Sequence, residues 1–433
     1  MKSLAEIVDQ LQDFDPEGLK AEQVSAFLAE MVEPVSEVER VPLLAALDRV
    51  LAEAIISPIS VPPHDNSAMD GFAFDGAQLQ PGTPLRLRIV GTALAGKVWK
   101  GAVGEGECVK IMTGAVMPPG LDTVVPQEHT KQEDHHVVIP ADTLRRGANR
   151  RHRGEDLTIG QQALAQGERL APAALGLLAG LGLTQVPVYR RLRAAYFSTG
   201  DEILSPGEAP KEGSVYDSNR FTVLGMLTRL GCEVIDLGVV GDKPNLLEAT
   251  LAQAASQADV IITSGGVSVG EADHTRKIMN KLGDVVFWRV AMRPGRPMAV
   301  GRIAKPESAH EGAVCKRQDT LLFGLPGNPV ATMVTFLAFV RPALLRLMGA
   351  RPQPTVLLRA TCEHPISKKP GRTEYQRGIV TQHPGGRLTV RITGNQGSGI
   401  LSSMVDANGL IVLEHEQGNV AAGDEVGLLM LES

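Results

Sequence analysis

The sequence predicts an α/β fold joined to further β domains, and three observations carry that prediction. Between residues 192 and 345, strand-length apolar runs alternate with helix-length runs, the pattern of βαβ units and of a parallel sheet covered on both faces. From Ile56 to Gly147 the runs are short, β-prone and punctuated by Pro and Gly. Beyond Pro352 and Pro354, residues 355–433 show short strands, Gly-rich turns and no helical period, the texture of a small β-barrel or sandwich.

The elements follow in order. SLAEIVDQL and AEQVSAFLAEMV repeat apolar residues at helical spacing until Pro34 breaks the pattern. LRLRIVGTAL, ECVKIM, DTVVPQEH and HHVVIP are strands of the β-rich segment, and ERLAPAALGLLAGLGL (168–183) returns to helix with Gly182 near its end. Helical segments on either side of a β-rich insert imply one shared body. The domain assignment is therefore 1–55 with 148–190, an insert at 56–147, an α/β domain at 191–349 and a C-terminal domain at 355–433. Within the α/β domain, LRAAYFS (192–198), CEVIDLG (232–238) and DVIITS (259–264) read as strands. SNRFTVLGMLTRLG (218–231), LLEATLAQAASQ (246–257), DHTRKIMNKLG (273–283) and PVATMVTFLAFVRPALLRLMG (329–349) read as helices. Residues 303–319 are polar and aperiodic, a surface insertion between two strands.

Composition narrows the function. The chain has 433 residues, too many for one compact core, with 43% hydrophobic and 21% charged residues, as in ordinary globular proteins. Aromatics are only 4%, net charge is −6 and no long basic run occurs, which argues against a nucleic-acid partner. Cys108, Cys232, Cys315 and Cys362 are scattered without zinc spacing, so a reducing, cytoplasmic setting is expected. The N-terminus is amphipathic and acidic, unlike a signal peptide, and no apolar run is expected to reach membrane-spanning length.

Candidate chemistry sits in loops. A strand runs straight into Gly265-Gly266-Val267-Ser268-Val269-Gly270, and a helix starts at Asp273. Glycines let backbone N–H groups approach an anion, and the helix adds its positive end. Glu271 and Asp273 are out of place in a purely phosphate-binding loop, and they point to a hard cation such as Mg²⁺ between protein and phosphate. The alternative is a tight βα turn capped by Asp273. Glu202, in STGDE, and Asp242, in GDKP, follow two further strands; each alone is a turn or cap residue as readily as a ligand. Three carboxylates at one edge of one parallel sheet favour a metal or acid–base site. Arg289, Arg293 and Arg296 surround a Pro-Gly turn and could meet an oxyanion, and Pro326-Gly327-Asn328-Pro329, before a long helix, reads either as a further anion-binding turn or as a rigid helix start. Asp70, Thr113, the Arg151–Asp156 cluster, Arg372 and Gly394–Gly399 lie in turn settings that physics alone leaves ambiguous. No catalytic triad, His-Glu-x-x-His, Walker A or Rossmann fingerprint occurs.

SAMDGFA, IMTGAVMPPGLDTVVPQE, RRHRGED, STGDE, YDSN, TSGGVSVGEADH, RPGRP, GLPGNPVA, GRTEYQRG and GNQGSGILSSM occur in this order over essentially the whole chain. Together they resemble the molybdopterin molybdenumtransferases, the MoeA and gephyrin E-domain family. The resemblance implies an elongated four-domain subunit, a homodimer, and insertion of molybdate into adenylylated molybdopterin with Mg²⁺-dependent cleavage of the AMP anhydride. It assigns Mg²⁺ or the attacking oxygen to Glu202, Asp242 and Asp273, and functional positions across the dimer cleft to Asp70, Thr113 and Asp156. Gly265, Gly266, Ser268 and Gly270 would cradle the pterin phosphate or its neighbourhood; Arg372 and Ser398 resemble the molybdate side. Transient contacts with other molybdenum cofactor enzymes, no nucleic acid and no membrane complete the expectation. Arginine stands at 289, 293 and 296 where the family often has lysine, and a planar fork holds an oxyanion differently from an ammonium. The rival readings are a gephyrin-like binding scaffold and a molybdopterin adenylyltransferase.

Overall fold

The computed structural model describes residues 3–9, 15, 18–266, 272–305 and 319–431, with the side chains of 272–276 outside the description. The described chain forms two compact units, one of 1–39, 48–50 and 188–433, the other of 40–47 and 51–187.

The larger unit is built on a six-stranded sheet, in the order Glu233–Val240, Arg193–Thr199, Val260–Ser264, Thr320–Leu325, Pro297–Ile303, Gly283–Arg289. The first four strands are parallel, and Pro297–Ile303 runs antiparallel to both its neighbours, Thr320–Leu325 and Gly283–Arg289. The sheet is thus mixed where the strand–helix alternation predicts a parallel one. The reason is local: residues 290–296 join the last two strands directly, and a connection that short permits only an antiparallel pair. Val260–Ser264 is buried at every position, as a strand covered on both faces must be.

One face packs on the helices Leu4–Asp9 and Ala21–Met31, on Ser218–Arg229 and on the 329–347 helix; Leu4, Ile7, Phe27, Val223, Leu227, Val334 and Leu344 share a core with Tyr196, Ile262 and Phe323. Phe27 stands edge-on to Trp288, ring centroids 4.6 Å apart. The other face is covered by Pro244–Gln257 and Ala272–Leu282, through Leu247, Leu251, Ile278 and Met279. Of the body expected from 1–55 with 148–190, the N-terminal helices thus pack on the α/β core instead, while residues 51–55 do pair with the later segment, Ile55 opposite Leu164 and Leu51 N–H donating to Glu168 O. Helical spacing shows that the N-terminal helices have an apolar face but not which neighbour covers it, and here the α/β core does.

The 329–347 helix is α over Pro329–Thr335, a π turn over Phe336–Val340 and α again over Arg341–Leu347. Pro342 lacks the N–H that a regular turn would need, and the widened turn precedes it. This helix corrects the expectation about apolar runs: over 19 residues its hydropathy and length would let it cross a bilayer, yet 61% of that stretch is buried inside the unit, as in a core helix.

The C-terminal strands close a five-stranded barrel, Thr373–Gln382, Leu388–Ile392, Leu358–Cys362, Glu425–Met430 and Gly409–Leu413, the last pairing back to the first. Ile366, Val390, Ile411 and Leu428 fill it. Met292–Arg293 adds a short parallel strand to its rim, with Arg293 opposite Glu374.

The smaller unit holds a six-stranded, largely antiparallel sheet, ordered Thr123–Pro126, Gly71–Phe74, Glu107–Ile111, Leu85–Ala93, His136–Ile139, Lys131–Glu133. Alternate residues feed two cores, Ala73, Val109 and Val124 on one side, Phe72, Cys108 and Val125 on the other. The helix Pro172–Gly180 belongs to this unit as well.

Candidate active site

The parallel strands of the larger unit end at one edge, and their loops meet there. Arg193–Thr199 leads into Gly200-Asp201-Glu202, and Glu233–Val240 leads into Gly241-Asp242; the Asp242 N–H donates to Asp201 Oδ1 at 3.1 Å. Glu202 and Asp242 are both exposed on these touching loops. Val260–Ser264 leads into Gly265, whose N–H donates to Leu325 O at 3.2 Å. Gly265 has φ +86°, and a Cβ there would collide with Thr199 O, so only glycine lets the loop lie against its neighbour strand. Tyr196 Oη lies 2.6 Å from Ser264 Oγ and 2.9 Å from Ser198 Oγ, a buried hydroxyl chain across the two strand ends. Burial pushes the Tyr196 hydroxyl above its usual range, so it stays protonated.

The fourth parallel strand, Thr320–Leu325, leads into Pro326-Gly327-Asn328. Asn219 Nδ2 donates to Gly327 O at 2.7 Å, and Thr332 Oγ1 to Pro326 O at 2.6 Å, which fixes this turn from two helices. Asp217 caps the first of those helices by accepting from Arg220 N at 3.0 Å. Asn328 Nδ2 reaches Ser398 Oγ at 3.0 Å, so the turn also touches the C-terminal 394–399 loop.

Arginines collect beside that contact. Arg293 and Arg296 are exposed and Arg289 is partly so, around the turn at Gly295 that packs on Ala331 and Thr335. Arg372 Nε donates to Glu374 Oε1 at 2.8 Å. Arg377 is buried and donates to Gly397 O at 3.0 Å and to Ser403 Oγ at 3.0 Å, which anchors the loop before Ser398. Burial, with Arg293 nearby, pushes the Arg377 guanidinium down to about 10, still charged at neutral pH.

Of the residues singled out from the sequence, Glu202, Asp242, Gly265 and Gly266 thus lie on adjoining strand ends, and Pro326, Asn328, Ser398, Arg293, Arg296 and Arg372 on turns that touch one another. Ser268 and Gly270 lie outside the described residues, and Asp273 is described only as part of the Ala272–Leu282 helix. Among the described residues no group of three His, Cys, Asp or Glu has metal-holding geometry. Asp201, Asn219, Glu374 and Arg377 were not singled out, although YDSN and GRTEYQRG contain three of them; nothing in the sequence says which member of a motif reaches across to another loop.

In the smaller unit, Asp70 Oδ1 accepts from Thr113 N at 2.6 Å and from Thr113 Oγ1 at 2.7 Å, and these two bonds hold its carboxyl below the ordinary range. Asp65 accepts from Arg153 N at 2.7 Å and pairs with Arg150, and the first of these contacts lowers its pKa most. Asp156 is exposed, its N–H donating to Val61 O at 3.1 Å. At Asp70 the turn reading and the functional one therefore describe the same residue: the turn bonds that fix its carboxylate also favour the ionised form.

The whole chain compares with known proteins. The MoeA N-terminal region (domain I and II) matches residues 19–182, a probable molybdopterin binding domain matches 195–346, and the MoeA C-terminal region (domain IV) matches 359–431. A molybdopterin molybdenumtransferase of Haemophilus influenzae is 39% identical over 411 residues, covering 94% of this chain and 97% of its own. The chain belongs to the molybdopterin molybdenumtransferase family. A second member, from Bacillus subtilis, is 33% identical over 402 residues, 91% of this chain and 90% of its own. The crystal structure of a molybdopterin biosynthesis MoeA protein from Pyrococcus horikoshii OT3 superposes with a TM-score of 0.78 at 26% identity, covering 96% of this chain and all of that one. Membership in the molybdopterin molybdenumtransferases makes the chain a transferase of molybdenum cofactor biosynthesis, with a pterin-type substrate.

Proposed function

We propose that this enzyme inserts molybdate into adenylylated molybdopterin with Mg²⁺-dependent cleavage of the AMP anhydride, releasing molybdenum cofactor and AMP. The observation that carries the reading is the junction at Asn328: its turn follows Leu325, whose carbonyl accepts from the Gly265 loop, and Asn328 reaches through Ser398 to the loop that Arg377 anchors. A substrate with an anionic phosphate end and an oxyanion partner needs both kinds of surface side by side. The Gly265 loop offers backbone N–H groups to phosphate. Arg293, Arg296 and Arg372 offer guanidinium forks to a tetrahedral dianion.

Glu202 and Asp242 are exposed carboxylates on touching loops, which suits a hard cation, and with Asp273 they would hold Mg²⁺. When bound, that ion would neutralise charge on the phosphoanhydride oxygens. The protein's own share is to fix the pterin phosphate against the glycine loop and the oxyanion against the arginines, so that the two meet without a search. Asp70, Thr113 and Asp156 are assigned to the same reaction from the second subunit of a homodimer. A cytoplasmic site of action and transient contacts with other cofactor enzymes belong to this reading.

AMP release from adenylylated molybdopterin, measured with Mg²⁺ and with or without molybdate, tests it. Molybdate-dependent release with metal retained on the pterin is expected. Absence of release under every condition from a folded protein would turn the weight to a scaffold, and consumption of ATP with unmodified pterin to an adenylyltransferase.

A further inference from the structure

The carboxylate of Glu374 is 1% exposed, on a barrel strand where Gln376 is buried two residues on and the barrel core is built from Ile366, Val390, Ile411 and Leu428. A charge in such a place is costly unless each oxygen finds a donor. Here Oε1 accepts from Arg372 Nε at 2.8 Å, and Oε2 from Gln376 Nε2 at 2.9 Å. An apolar residue would fill a barrel position at least as stably, so barrel stability gives no reason for a carboxylate. What it does hold is one edge of Arg372, whose side chain is 36% exposed and whose two Nη groups have no protein acceptor among the described residues. Lys368, a further cation nearby, is committed elsewhere, donating to Gln417 O at 2.6 Å and His415 O at 3.3 Å. Backbone pairing sets Arg293 opposite Glu374, so the same residue marks where the two arginine-bearing segments join.

We propose that Glu374 is a positioning residue for oxyanion binding. Its carboxylate, itself fixed by Gln376, pins Arg372 through Nε so that the Nη fork faces the tetrahedral anion. A long side chain held at one edge loses little further freedom when the anion arrives, which is how preorganisation strengthens binding. The inference rests on the reading of Arg372 as an oxyanion ligand.

Charge and position make opposite predictions. Removing a negative charge beside an anion site should, by Coulomb's law alone, tighten anion binding; loss of positioning should weaken it. For Glu374→Gln, the molybdate concentration giving half-maximal AMP release is expected to rise about tenfold, with kcat at saturating molybdate within about twofold of the parent. The same rise is expected in the molybdate concentration that half-maximally protects the protein from thermal unfolding, a readout independent of turnover. In an Arg372→Gln background the second substitution should add nothing, because both act through one contact. Should Glu374→Gln fail to fold, Glu374→Asp and Gln376→Met test the same point, one keeping the charge but shortening its reach, the other removing the support of Oε2; both should weaken molybdate binding. Unchanged or tighter binding in these variants, or a full effect in the Arg372→Gln background, overturns the proposal while leaving the transferase reading intact. Unchanged molybdate dependence in Arg372→Gln itself would instead remove Arg372 as a ligand, and the clamp with it.

Discussion

At Gly265 the backbone has φ +86° and the space a Cβ would need is occupied by Thr199 O. Both facts act against any side chain. Gly265→Ala is expected to destabilise the protein by about 2–3 kcal/mol, from the left-handed conformation and the forced loop shift together. It should also depress AMP release well beyond what that loss of stability explains; normal turnover from a protein with an unchanged melting temperature would contradict the geometry. Asp273→Asn is the matching test of charge. It keeps volume and should leave melting temperature and oligomeric state unchanged while abolishing activity, and a parental turnover rate would remove Asp273 from the metal site. The glycine and the carboxylates could be picked out from the sequence because strand–turn–helix texture locates loops, and loops at strand ends carry ligands. Asn219 and Glu374 could not, since their partners, Gly327 and Arg372, are fixed by how turns approach one another.

At the scale of elements, the edge of the sheet opposite the candidate site is tied by Asp259. It accepts from Arg190 through both oxygens, at 2.6 and 2.9 Å, and from Arg193 N at 2.9 Å, next to the start of two central strands. Burial disfavours its charge, but the Arg190 fork and the backbone donor outweigh that and hold its carboxyl below the ordinary range. A depressed carboxyl contributes stability that is complete above the unfolded-state value, about 3.9, and is lost as pH falls through the lower folded value. Unfolding measured by urea titration from pH 7 to pH 2 should therefore show a fall in stability below about pH 4 that is shallower in Asp259→Asn. That variant should also be about 3 kcal/mol less stable at pH 7, because it leaves Arg190 with one partner fewer in a half-buried place. A parallel pH dependence in the two proteins would show that the pair adds nothing. The helices and strands around this point follow from sequence periodicity. Two features did not: the antiparallel edge pair, set by a short connection, and the π turn ahead of Pro342, set by a missing donor.

At the scale of the whole molecule, light scattering on the purified protein is expected to give twice the subunit mass across a tenfold dilution, as a homodimer requires; a monomer with full activity would remove the assignment of Asp70, Thr113 and Asp156 to a second subunit. Ten ordered motifs made the family legible from end to end, and the relatives' coverage of this chain agrees with them. The sequence by itself determined the family, the order of strands and helices, and the loops where chemistry could sit, because periodicity and turn composition are properties of neighbouring residues. Only the tertiary structure decided that the N-terminal helices cover the α/β core, that the final strands close on themselves as a barrel, that Asn328 meets Ser398, and that Arg372 meets Glu374. Those outcomes depend on which apolar faces and strand edges find each other across tens to hundreds of residues, and local spacing carries no information about that choice.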